Sequence, residues 1–97
     1  MSRLDRSRAF APPDYTTDRG KAGVSAIQIL ATGQADAGAQ KIALDYIIND
    51  LCRTHDLSYR PDDMGGDRDT VFAEGRRFAG LQLVRIINGN FDQLTGK

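Results

Sequence analysis

The sequence predicts an all-α protein, a small helical hairpin or three-helix domain with an extended N-terminal arm. Three observations predict it. Two segments, near 35–53 and 70–88, carry apolar residues at three- and four-residue steps, the period of a helix with one buried face. Twelve of the thirteen acidic residues are Asp, and Asp favours caps and turns over helix interiors, which fits short helices joined by tight connections. The length of 97 residues accommodates one domain with a small core. The organisation that follows is an arm over 1–20, a helical domain over 21–90 and a C-terminal tail over 91–97.

The arm has no sustained apolar period, and Pro12 and Pro13 forbid a helix through that point. Its charges lean slightly basic, and its apolar anchors are Leu4, Phe10, Ala11 and Tyr15. Such an arm is disordered in water unless something holds it, and a neighbouring subunit is the expected holder. Lys21 to Thr32 reads as a first helix, with Asp18 as its cap and Gly33 just past its end. A short strand over Ala26 to Leu30 is the competing reading. The clearest helix runs from Ala35 to Arg53, where Leu44, Ile47, Ile48, Leu51 and Cys52 form a stripe. Lys41 and Asp45 stand at i, i+4. A turn-rich loop over 54–69 follows, with Leu57 and Tyr59 placed to pin it to the core.

The second long helix spans Thr70 to Asn88, with Asp69 as N-cap and Gly89 as the residue past its end. Phe72, Ala79, Leu83 and Ile86 make one stripe, and Phe78, Leu81, Val84 and Ile87 carry apolar character around much of the cylinder. A helix apolar on more than one face is central in a core or half of an oligomer interface. Gly75 and Gly80 inside it are unfavourable against Ala, so a crowded helix contact is expected at both. Phe91 and Leu94 are candidate docking side chains of the tail.

Composition narrows the function classes. Thirteen basic and thirteen acidic residues cancel, which argues against a generic nucleic-acid coat. No run approaches the roughly 18 apolar residues of a membrane span. The segment MSRLDRSRAF lacks the apolar stretch of a secretory leader. A single Cys forms no disulfide framework and no cysteine-based zinc site.

Three clusters invite a chemical reading. Asp62, Asp63, Asp67 and Asp69 resemble a calcium loop, but counting from Asp62 puts Met64 at position three and Asp67 at position six, and neither register fits an EF-hand. A solvated turn leading into a cap is the simpler reading. Cys52 and His55 stand at i, i+3, but no second His or Cys completes a ligand set, and Cys52 continues an apolar stripe. Glu74, Arg76 and Arg77, with Arg85 further along, form either a salt-bridged helix face or a clamp for carboxylate or phosphate. Arg outnumbers Lys ten to three, and Arg is enriched at interfaces. No paired carboxylates or activated nucleophile supports an enzyme, and no cofactor is expected.

Two motifs together carry a family resemblance. An apolar helix ending in Cys, IALDYIINDLC from Ile42 to Cys52, is followed by a loop and a helix opening FAEGRRFAGLQL, Phe72 to Leu83. This resembles the Bbp-nineteen-like family of small tailed-phage proteins over residues 35–88, and the EGRR-x-x-GL core is its specific part. Where the family carries Cys-Gly, this chain reads Cys52–Arg53, so a different turn is expected there. The resemblance implies a small helical protein encoded among phage head and packaging genes, and no catalytic residues.

The expectation is a structural component of a phage particle at the head, portal or neck, made in the host cytoplasm and residing in the virion. Its expected partners are portal, coat or neck proteins and further copies of itself, with packaged DNA as a possible contact and no membrane. Phe10 and Tyr15 would anchor the arm on a neighbour. Phe78 and Gly80 would lie in a helix contact, and Arg76, Arg77 and Arg85 would face acidic surface or DNA. The alternative is a nucleic-acid-associated assembly or packaging factor. Zero net charge and the lack of a tight helix-turn-helix connection count against it.

Overall fold

The computed structural model describes residues 10–56 and 66–96. Every regular element among them is helical: α1 (Asp18–Ala31), α2 (Ala37–Tyr46), a π-helical turn (Ile47–Leu51), α3 (Gly66–Asn88) and α4 (Phe91–Thr95). The strand reading of Ala26 to Leu30 is therefore excluded.

The helix ends follow local chemistry. Asp14 accepts from the Thr16 N–H at 3.0 Å and the Thr16 hydroxyl at 2.6 Å, turning the chain after Pro13. Thr17, not Asp18, caps α1, its Oγ1 accepting from the Gly20 N–H at 2.9 Å. The helix thus begins three residues inside the segment read as arm. Its end matches expectation: Gly33 has φ +78° and donates to the Leu30 carbonyl at 3.0 Å. Asp36 caps α2 by accepting from the Ala39 N–H at 2.8 Å.

α1 and α2 form an antiparallel hairpin, because Arg19 at the start of α1 reaches Asp45 and Asp50 at the end of α2. Asp45 thus takes Arg19, not Lys41, as the cation it binds, at 2.9 Å. The buried face of α2 is also not the predicted stripe. Ala43 and Tyr46 are buried, while Leu44 is exposed. Tyr46 packs on Gly23, which with Ala26 is buried in α1's central turns. Small residues let two helix backbones approach closely, and that contact outcompetes the larger aliphatic row.

The π-helical turn reshapes the end of α2. Cys52 N–H donates to the Ile47 carbonyl at 2.9 Å, and the Thr54 N–H and hydroxyl both donate to the Ile48 carbonyl at 3.1 and 2.6 Å. The chain then reverses through Arg53, whose φ of +49° is left-handed. Thr54 is fully buried against Gly80 of α3. α3 starts at Gly66, earlier than predicted, so Asp69 sits buried in its first turn and is not the residue before it. Gly89 lacks the left-handed backbone expected of it. It is small because Leu94 folds back onto it from α4, which Asn90 caps by accepting from the Gln93 N–H at 3.1 Å. Leu4, Leu57, Tyr59, Asp62, Asp63 and Met64 lie outside the described residues.

The resulting core is small. Its buried apolar side chains among the described residues are Ala11, Ala26, Ala43, Ala73 and Tyr46. Four of these five are alanines, so large apolar residues remain outside, most of them on α3 and α4.

Candidate assembly interface

The described part of the arm is tied to its own chain at Ala11. Ala11 is completely buried, and its carbonyl accepts from Arg76 Nη1 at 2.8 Å and Arg53 Nη2 at 3.1 Å. Arg76 Nε also donates to the Leu51 carbonyl at 2.5 Å. Arg76 therefore joins the arm, the π-helical turn and α3. Burial, then the nearby Arg53 charge, pulls its pKa below the ordinary arginine range. Arg76 was expected on an outward clamp; the structure turns it inward, because carbonyls left over at the end of α2 need a donor.

Phe10 and Tyr15 flank this tether and remain exposed, so the arm needs no neighbour to hold it at Ala11. Replacing Arg76 by Ala removes charge-assisted hydrogen bonds that each contribute about 1.5–3 kcal/mol. The expected result is faster amide exchange and proteolysis around residues 10–17, with α1–α2 helicity retained. Arg76→Lys should restore little, because an ammonium lacks the planar fork that reaches both carbonyls. Unchanged exchange in Arg76→Ala would show that Arg53 alone holds the arm.

Arg77 and Arg85 lie on the accessible part of α3. Arg77 makes a 3.5 Å contact with Glu74, a surface pair of small energetic weight. Arg85 is exposed with no acidic partner among the described residues. Gly80, expected at a helix contact, is indeed at one, but the contact is internal, against Thr54 and Cys52. Among the described residues, Gly75 has nothing within 4 Å of the position a Cβ would take.

The outer side of α3 is apolar and left uncovered by the described residues. Val71 is 73 % exposed, Phe78 61 % and Ile86 63 %. Phe72 and Ile87 are also exposed, and Phe91 of α4 is 72 % exposed. Contiguous exposure of large apolar groups on one element marks an interaction surface, whereas scattered single residues do not. Val71 was not singled out from sequence, because Gly75 and Gln82 interrupt the stripe 71, 75, 78, 82, 86 that it begins. Arg53, Thr54 and Arg19 were missed as well. Their roles depend on contacts between distant segments, for which the sequence carries no periodic signal.

Tyr46 lies between two grooves of the hairpin. One, about 340 Å³, is lined by Tyr15, Val24, Ile27 and Leu51, and the other, about 460 Å³, by Arg19, Ala22, Lys41 and Ile42. Cys52 is half-buried and His55 exposed, with no hydrogen bond joining them among the described residues. No group of three His, Cys, Asp or Glu suited to a metal occurs among the described residues. No helix among them is long and apolar enough to cross a membrane. The chemistry this surface offers is thus apolar contact edged by Arg77, Arg85 and Glu74. No protein-family model, curated protein or solved structure matches the chain.

Proposed function

We propose that this chain is a structural component of a tailed-phage particle, at the head, portal or neck, and acts through oligomeric contacts. The observation that carries the reading is the uncovered apolar face of α3 above a core built mostly of alanine. A monomer gains little by leaving Val71, Phe78 and Ile86 in water, whereas a subunit of an assembly buries them. The resemblance of Ile42–Cys52 and Phe72–Leu83 to the Bbp-nineteen-like family supplies the phage context. The chain departs from that family at Arg53, which stands where the family has Gly, although its left-handed backbone is one a Gly adopts freely.

Mass spectrometry of purified particles tests the proposal, with copy number scaled to portal and coat proteins. A portal-linked copy number places the chain at the neck or vertex, and coat-like abundance places it in the shell. Absence from the particle overturns the proposal. The second reading, an assembly factor that contacts DNA, draws on the outward Arg77 and Arg85. Its test is salt-dependent DNA retention that is lost in an Arg77→Ala/Arg85→Ala variant. Arg76 is unsuitable for that test, because its removal also frees the arm.

A further inference from the structure

The outer stripe of α3 reads nearly the same from either end. Val71, Gly75, Phe78, Gln82 and Ile86 follow at steps of four, three, four and four residues, so they share one helix face. Large apolar groups stand at both ends, and Phe78 stands near the middle. Glu74 and Arg85 are eleven residues apart, about three helical turns. They therefore lie on the same edge of this stripe, one near each end.

We propose that a second copy of this chain covers the face, with its α3 antiparallel to the first and Glu74 of each copy beside Arg85 of the other. This rests on the assembly reading above and names the partner for that surface. A two-fold axis passing between the two helices, level with Phe78 and Ala79, sets Val71 against Ile86 of the second copy, and Gly75 against Gln82. The two Phe78 rings meet at the centre. Such an axis also brings like edges together in reversed order, so Glu74 meets Arg85 twice by symmetry.

A parallel pair does not do this. It sets the charged edge of one helix against the opposite edge of the other, the one bearing Phe72 and Ala79, and no opposite charges meet. Charge complementarity thus selects the antiparallel pair. Arg85 has no acidic partner among the described residues, and the Glu74 contact with Arg77 is long and exposed, so both are available. Zero net charge imposes no overall repulsion between copies. Gly75, whose Cβ position meets no described residue of its own chain, here removes the Cβ that would hold two helices apart.

The test is sedimentation equilibrium of the purified full chain across a concentration series. A dimer is expected, and Phe78→Glu should render it monomeric with helical circular dichroism unchanged. Glu74→Arg and Arg85→Glu should each weaken association by about tenfold. The double variant should restore it, since the exchanged charges pair again. All three positions are exposed, so a failure to fold does not confound the result. A chain monomeric at every concentration overturns the proposal, as does a dimer that the double variant does not restore. A monomer found in purified particles overturns the dimer and leaves the particle reading standing. A dimer absent from particles does the reverse.

Discussion

Gly80→Ala is expected to destabilise the fold by roughly 2–3 kcal/mol, although alanine is the better helix former. A Cβ there would fall on Thr54 Oγ1 and come within 2.9 Å of both Thr54 Cβ and Cys52 Cβ. None of these is the far end of a flexible chain. Thr54 is fully buried and held by two hydrogen bonds to the Ile48 carbonyl. Moving it breaks those bonds, at about 1 kcal/mol each, and lifts α3 from the π-helical turn. The gain in helix propensity, about 1 kcal/mol, is too small to compensate. With so small a core, the melting midpoint should fall by about 10–20 °C.

Thermal and urea unfolding of Gly80→Ala, Thr54→Ala and the double variant isolate the cause. Thr54→Ala removes the obstructing oxygen, so the double variant should be more stable than the sum of the two single effects implies. Simple additivity would mean that the clash is relieved elsewhere.

Tyr46 should divide its two substitutions by sign. Tyr46→Ala removes the largest buried side chain from between α1 and α2 and is expected to cost about 3–5 kcal/mol. The Tyr46 ring lies directly on Gly23, which has no side chain with which to fill the gap. Tyr46→Phe should instead stabilise by about 1 kcal/mol. The Tyr46 hydroxyl is buried without a hydrogen-bond partner among the described residues, and removing it ends that desolvation cost. The guanidinium of Arg19, 5.9 Å from the ring centroid, keeps its attraction to either ring.

The same hydroxyl fixes an alkaline response. Burial, then the charge of Asp50, raises the Tyr46 pKa above its ordinary value of 10.0. Below pH 10 the phenol is protonated in both folded and unfolded chains, and this contribution to stability is fully present. Above that value the unfolded phenol ionises first, so stability falls as pH rises through the folded pKa. Denaturation followed from pH 8 to 11 should show this decline in the native chain and a smaller one in Tyr46→Phe. Equal slopes would mean that the Tyr46 hydroxyl reaches solvent.

The helices themselves were legible because each depends on neighbours a few residues apart. The period of 35–53 and 70–88, the stop at Gly33 and the helix break at Pro12 and Pro13 are local matters of hydrogen bonding and backbone geometry. The apolar character around α3 was likewise visible, and with it the expectation of a contact surface. Which face of α2 would be buried was not. Leu44 and the isoleucines near it carry more apolar area than Ala43, and area is what a periodic reading weighs. The structure weighs close approach instead, and Gly23 makes Tyr46 and Ala43 the side that fits.

The candidate surface divides in the same way. The sequence by itself determined an all-helical chain whose last long helix carries more apolar surface than a single contact uses. Tertiary structure alone decided which of its residues face outward. Arg76 and Gly80 sit beside Arg77 and Phe78 in the chain, yet one pair serves the interior and the other the surface. The reason is that burial on α3 depends on where Ala11, Leu51 and Thr54 arrive, and those segments are 25 to 65 residues away along the chain. No local period encodes a meeting at that separation. It follows from the small residues that let the helices close, which set the positions of every larger group around them.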